Sequence, residues 1–459
     1  MNDFTRPEPA LPPHRQVRAD FVPQEDNTSP AIAQLERERL WPRVWQMACR
    51  EEEIAQVGNF VTYEILDQSI IVIRVSETAI KAYHNVCPHR GRQLMQGCGS
   101  VNKLHCAFHG WQWTLRGELL RVQDREDWNG CSDMADRDLR LAEVRLGRWG
   151  GFVFINLDAD GEAFDDFIAP VRRALDPLGF EEYRFGWYKT LLLKANWKTA
   201  IEAFQESYHV ASVHPQYLPV VDELNKSYAE GQHSKHVYLF QRPMGAPSHH
   251  TTLPVPADLR AGVAGVLAAF RDWVGDAEGK GQVTARSAAA AQRVLTEVPE
   301  GTPPQEVMMA AIGFMLEAAH AQGVQWPRLT PEQTMAAGVD WTVFPNMGLV
   351  FAFDGCLVFR ARPNGSDPDS CIFDAWSILR LAPQEVPRLQ REFYPDWKAR
   401  EHEIPGLLVQ DLRNMEFVQR GLHSLGLKGL RTNPVQEVQV SHLHRVLHRY
   451  LYGDDELRA

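Results

Sequence analysis

The hydrophobic and polar positions of this chain change rhythm along its length. Prolines at 7, 9, 12, 13, 23 and 30 rule out a continuous helix and predict an extended arm over residues 1–30. Residues 31–44 then predict a helix. From residue 59 the period shortens. Segments 60–65, 69–75 and 78–84 are rich in β-branched and aromatic residues between polar breaks, which predicts short strands. Gly97, Gly99, Gly110 and Gly117 mark turns, and 151–157 (GFVFINL) reads as a buried strand. These features predict three parts: an arm and helix over 1–44, a compact β domain over 45–157, and the remainder over 158–459.

The remainder mixes both periods. Segments 188–194 and 348–353 predict strands, and 197–213 has helical periodicity that sets Ile201, Phe204 and Tyr208 on one face. Residues 257–325 differ in composition. Ala-rich amphipathic stretches at 259–274, 285–295 and 305–321 predict a helical insertion, either added scaffold or a lid over a nearby pocket.

Composition narrows the class. The chain has 459 residues, 44% hydrophobic and 23% charged, which is globular rather than disordered. A net charge of −11 argues against a nucleic-acid partner. No apolar run approaches the roughly 18–20 residues of a spanning helix. The polar, proline-rich start lacks a secretory apolar core, so neither membrane insertion nor export is expected. Seven cysteines form an odd, sparse set, so a disulfide framework is not expected and a reducing, cytoplasmic setting is. In that setting, clustered Cys and His residues are read first as metal ligands.

Two such clusters stand out. Cys87 and His89 form C-x-H, Cys106 and His109 form C-x-x-H, and each pair precedes a glycine (CPHRG, CAFHG). Two short loops, each offering one thiolate and one imidazole, suit a two-iron cluster with sulfur donors on one iron and nitrogen donors on the other. A structural zinc site is the plainer alternative, but zinc fingers usually pair Cys with Cys and His with His. Cys98 has no adjacent His and reads as a packed thiol.

The second cluster is NWKTAIEAFQESYHVASVHPQ at 196–216, with His209 and His214 five apart and Glu202 and Glu206 upstream. Oxygen-activating non-haem iron sites commonly use two His and one carboxylate. Five-residue spacing does not align side chains on a regular helix, so the helix is expected to end or loosen between the two histidines. Asp354, Asp374, Asp411 and Glu416 are all candidates for the carboxylate. Several other features carry less. His442, His444 and His448 read as a surface or interface helix, His249 and His250 as loop surface or a substrate-channel position, and Trp326 and Trp341 as core or pocket wall.

Residues 87–120 (CPHRGRQLMQGCG…LHCAFHGWQWTLRGEL) and 196–216 together resemble the Rieske non-haem iron oxygenases, in their large (alpha, terminal oxygenase) subunit. Phe108 stands where that family usually has Tyr, and Ala203 where its aromatic-ring dioxygenases often have Asn. The resemblance implies an α+β fold: a β-rich Rieske [2Fe-2S] domain and a helix-grip catalytic domain, an antiparallel sheet around helices. It implies that Cys87, His89, Cys106 and His109 hold the cluster. It implies mononuclear Fe(II) on His209 and His214, with Asp411 as the carboxylate because 407–422 resembles the family's closing helix. Glu206, where many members have Asp, would bridge to His109 of a neighbouring subunit. Glu there resembles the branch that includes quaternary-ammonium oxygenases.

The implied reaction uses O2 and electrons from NAD(P)H, delivered by a reductase with or without a ferredoxin, to hydroxylate a small organic substrate. The expected substrate is aromatic or otherwise apolar; the alternative is a monooxygenase or demethylase acting on a quaternary amine or methoxy compound. A homotrimer is implied, with or without a small beta subunit. A competing reading from another class is a Rieske electron carrier without oxygenase activity.

Overall fold

A computed structural model describes residues 15–239, 241–276 and 279–453. Residues 1–14 of the extended arm expected over 1–30 lie outside them; in the described remainder Glu25–Thr28 is a short helix rather than extended chain.

Two antiparallel frames carry the molecule. The first is a seven-stranded sheet in the order Gln46–Arg50, Phe152–Asn156, Glu143–Trp149, Ile80–His84, Gln68–Arg74, Asn59–Ile65, Cys98–Ser100. Its β-branched and aromatic positions alternate across the pleat. One set (Val61, Tyr63, Ile70, Val72) packs toward the second frame, and the other (Phe60, Ile71, Ile73, Tyr83) packs toward Cys87, Cys106 and Trp113. A three-stranded sheet, Leu104–His105, Gln112–Trp113 and Leu119–Arg121, carries one of the Cys/His loops.

The second frame is an eight-stranded sheet in the order Asn225–Glu230, His233–Tyr238, Asp340–Val343, Met347–Ala352, Gly355–Asn364, Asp367–Leu379, Arg184–Leu193, Arg391–Tyr394. All its pairings are antiparallel except the last, which is parallel. Helices Trp197–Glu202, Gly406–Leu422 and Val438–Tyr452 sit against this sheet, with Trp197, Ile201, Leu412 and Leu447 in one core with Phe359 and Phe373. This is the helix-grip arrangement.

The 257–325 region is helical: Arg260–Asp272, Ala285–Ala291, Val294–Glu297 and Pro304–Ala321 form a small core of their own around Val263, Leu267 and Met315. Among the described residues no helix is long and apolar enough to cross a membrane.

The expected helix over 197–213 is interrupted. It runs from Trp197 to Glu202, breaks, and resumes only at Val210–Val213. Polar side chains compete for the backbone in the break. Glu206 Oε2 accepts from the His209 backbone N–H at 2.9 Å, and the Ser207 hydroxyl donates to the Glu223 carbonyl at 2.7 Å. The helix therefore ends at Val213, between the two histidines as expected, but it also breaks before His209, and Tyr208 is exposed rather than on the buried face.

Candidate metal centres

The two Cys/His loops are built alike. In each, the Cys carbonyl accepts from a glycine N–H four residues on (Gly91 at 2.9 Å, Gly110 at 3.0 Å). The Cys N–H in turn donates to the carbonyl five residues on (Arg92 at 2.8 Å, Trp111 at 2.9 Å). Both glycines have φ above +70°, a conformation that side chains with a Cβ rarely adopt, so the tight turn needs them. The turns bury both thiols and bring the His89 and His109 rings to 4.6 Å. His89 stacks on Trp111 at 4.9 Å, and Phe108 lies 3.9 Å from the His109 ring.

The donor set fits a cluster. His89 Nδ1 and His109 Nδ1 are buried and have no hydrogen-bond partner among the described residues, which is costly unless something takes those lone pairs. Burial lowers the His89 pKa, keeping the imidazole neutral as a ligand must be. Burial, with Cys106 adding to it, raises the Cys87 thiol, so a nearby cation is needed to hold the thiolate. Cys98, expected to be packed, is exposed on a short edge strand.

The second centre is assembled from distant segments. The short helix Val210–Val213 places His209 at its start and His214 at its end, with the rings 5.2 Å apart. Helix Gly406–Leu422 brings Asp411 to them. His214 Nε2 lies 2.9 Å and His209 Nε2 3.6 Å from the same Asp411 oxygen. Each ring is aimed by its other nitrogen: His209 Nδ1 meets Glu206 Oε1 at 2.7 Å, and His214 Nδ1 meets Gln410 Oε1 at 2.8 Å. Two imidazoles and one carboxylate within 4.8 Å of one another form a set able to hold a metal ion. Asp354, Asp374 and Glu416 are not part of it. Asp354 binds Thr284 and Ser287, Asp374 pairs with Arg360, and Glu416 pairs with Lys398.

The surroundings are acidic. Burial alone would lower the His209 pKa, but Glu206 and Asp411 raise it to about 9. Burial raises Asp340 well above its ordinary value and, with Glu206 and Glu202, raises Glu437 to about 7. Gln439 Nε2 ties Asp340 Oδ1 to the Gln205 carbonyl, both at 2.7 Å.

The C-terminal histidines are not a surface helix. His444 is fully buried, its Nδ1 2.8 Å from Asp26 and its Nε2 2.7 Å from Glu202, and His448 reaches Asp26 at 2.8 Å. Sequence reasoning missed Asp26 and Gln410. Only the place of Gln410 beside Asp411 offered a signal.

Above the second centre opens a cavity of about 640 Å³. Phe204, Phe351, Phe353 and Phe359 line it from the sheet side. Phe270, Met309, Ile312 and Leu316 of the helical insertion also line it, so that region borders the same cavity as His209, His214 and Asp411. Trp326 joins the wall, while Trp341 is buried core.

The comparisons agree with this layout. The family model for the Rieske [2Fe-2S] domain matches residues 44–129, and that for the ring hydroxylating alpha subunit (catalytic domain) matches residues 180–453. The chain therefore belongs to the ring-hydroxylating alpha-subunit family, the large subunits of Rieske oxygenases. It is similar to the glycine betaine monooxygenase oxygenase subunit of Pseudomonas aeruginosa, 31% identical over 46% of this chain and 51% of that one. It is likewise similar to the carnitine monooxygenase oxygenase subunit of Escherichia coli, 31% identical over 42% of this chain and 54% of that one. The chain thus spans about half the length of the curated relatives it matches. Among solved structures, a quaternary ammonium Rieske monooxygenase in complex with L-carnitine shares the fold, with a TM-score of 0.62 at 15% identity over 94% of this chain and 97% of that one.

Proposed function

We propose that the chain is the terminal oxygenase of a multicomponent Rieske system that hydroxylates a small organic substrate. The observation that carries this reading is the convergence of His209, His214 and Asp411 beneath an apolar cavity, in a chain with a Rieske [2Fe-2S] domain. Residues 1–44, 45–157 and 158–459 act as arm, cluster domain and catalytic domain. Cys87, His89, Cys106 and His109 hold the cluster, and His209, His214 and Asp411 hold Fe(II). When bound, these groups supply one-electron storage and dioxygen activation. The balance is RH + O2 + 2 e⁻ + 2 H⁺ → ROH + H2O for monohydroxylation. The electrons come from NAD(P)H through a reductase, with or without a ferredoxin.

The chain's own residues do the rest. Glu206 and Gln410 fix both imidazole orientations, and the phenylalanine-lined cavity binds an apolar substrate and excludes water. Glu206 also faces His109 of a neighbouring subunit in a homotrimer, as the electron path. A second reading, oxygenation of a quaternary amine, is favoured by the named relatives and by Glu at position 206. Aromatic walls suit a quaternary ammonium group through cation–π attraction.

Purified protein with a surrogate reductase and NADH is to be offered aromatic acids, polycyclics, steroids and quaternary amines. The expected result is oxygen consumption coupled to a hydroxylated or demethylated product. Iron and acid-labile sulfide should be present. Zinc without sulfide, or reduction of the protein with no coupled product from any class, would overturn the reading.

A further inference from the structure

Outside the donor sets of both centres, two pairs of consecutive residues face each other across two loops: Asp222–Glu223 and His249–His250. We propose that they form a second, zinc-type divalent cation site that clamps the loop at 243–251 onto the segment that follows His214.

The loops are already zipped together. Ser248 N–H donates to the Leu218 carbonyl at 2.7 Å, Gly245 N–H to the Val220 carbonyl at 3.0 Å, and His249 N–H to Asp222 Oδ1 at 3.1 Å. This backbone pairing sets the side chains face to face. His249 Nδ1 lies 2.5 Å from Asp222 Oδ1, and His250 Nδ1 lies 2.5 Å from Glu223 Oε1. A carboxylate oxygen of Glu223 and a nitrogen from each ring all lie within 4.8 Å of one another. The carboxylates are 1% and 3% exposed, the imidazoles 31% and 47%. The site is therefore an acidic floor under an open imidazole roof, with an entry path for an ion.

A second observation points to a ligand. Asp222 Oδ2 and Glu223 Oε2 are buried and have no hydrogen-bond partner among the described residues. Two adjacent buried carboxylates are expensive unless their charge is compensated. Among the described residues, no Lys or Arg forms an ion pair with either; their only ionic partners are the two histidines. The two imidazole rings lie 3.9 Å apart, close enough to share one ion. One divalent cation held by Glu223, His249 and His250 places compensating charge beside both carboxylates. Mixed imidazole and carboxylate donors suit zinc.

Zinc has no redox chemistry, so the role is mechanical. The clamped segments carry Tyr217, Val221 and Met244 of the cavity wall, and the Ser207 hydroxyl beside Glu206 is anchored on the Glu223 carbonyl. Metal here stiffens one side of the cavity without joining the reaction.

The test uses iron-loaded holoprotein incubated with zinc sulfate and desalted, read by elemental analysis and zinc K-edge absorption. The expected result is about one zinc per chain in a nitrogen and oxygen shell with imidazole scattering. It should persist in His214→Ala, which removes the other His pair, and be lost in the double variant His249→Ala/His250→Ala. Glu223→Gln keeps the side-chain shape and should weaken zinc binding at least about tenfold, so it decides the matter if the double variant fails to fold. The cluster's visible spectrum reports folding in each case. No retained zinc in the parent protein, zinc unchanged in the double variant or in Glu223→Gln, or zinc lost with His214 would each overturn the proposal.

Discussion

The two metal centres are built on opposite plans. The proposed cluster donors fall between Cys87 and His109, on two glycine turns with the same backbone bonding. Their neighbours are aromatic: Trp111, Trp128 and Phe108. The second centre joins residues of two segments far apart in sequence, and ionisable groups surround it: Glu206 and Glu437 act on His209, Glu206 acts on Asp340, and Glu202 of the Asp26–His444–Glu202 chain acts on Glu437. A centre made by backbone turns depends on its own loop. A centre made by buried side chains depends on every partner being satisfied. Substitutions around the second centre should therefore reach further than those around the first.

The sharpest break of that comparison removes one donor from each. Cys106→Ala is expected to abolish the visible spectrum of the cluster while leaving the iron content of the second centre intact. His214→Ala should keep the cluster spectrum and lose the mononuclear iron. Turnover should fall by more than about 100-fold in both, beyond the usual cost of a supporting residue. Unchanged turnover in His214→Ala would refute the mononuclear-site assignment.

Supporting residues come next. Glu206→Ala removes the group that aims His209, so iron affinity should fall by about 10–100-fold; with iron restored to full occupancy, electron transfer between the centres should still be blocked, measured as product in a single turnover of pre-reduced protein. Gln410→Leu removes the acceptor that aims His214, so iron affinity should fall by about 10–100-fold. Trp111→Phe, which keeps an aromatic ring against His89, should leave metal content unchanged. Comparable iron loss from the cluster in Trp111→Phe would erase the contrast between the two plans.

A smaller effect tests the buried ionic chain through pH. Burial opposes protonation of His444, but Asp26 and Glu202 raise its pKa to about 9. A His raised above its unfolded value of about 6.5 contributes fully below that pH. Its contribution is lost as pH rises toward 9. Thermal melts should therefore show stability declining over that window. His444→Gln should be destabilised on the order of 2–3 kcal/mol near pH 6 and converge on the parent above pH 9. Parallel melting curves across the window would show that His444 is not charged in the folded protein.

The same contrast explains what could be read from the chain. Strand segments 60–65 and 69–75 coincide with Asn59–Ile65 and Gln68–Arg74, because a half-buried strand writes its alternation locally. The insertion helix at 259–274 coincides with Arg260–Asp272 for the same kind of reason. The Cys/His loops are legible because each turn closes within six residues. The break after Glu202 was not, since it depends on where Glu206 and Ser207 send their side chains. Nor was the burial of His444, whose partner Asp26 lies 418 residues away. Asp411 came from family resemblance, since the sequence alone offered four carboxylates of equal standing.

The smallest expected effect sits on the cluster side. Phe108 is 54% exposed and its ring lies 3.9 Å from that of His109, with the Arg90 guanidinium over it at 5.2 Å. Phe108→Tyr adds one hydroxyl. A hydrogen bond from that group to a cluster sulfur would withdraw negative charge and raise the reduction potential. With about half the ring in solvent, water competes for the hydroxyl, and the turn that fixes the loop is made by Cys106 and Gly110, not by this side chain. The potential should therefore rise by less than about 59 mV, a tenfold change for one electron, with the visible spectrum unchanged. A larger rise in redox titration would mean that the hydroxyl is held inward. The cluster centre would then share the dependence on side-chain partners that characterises the other one.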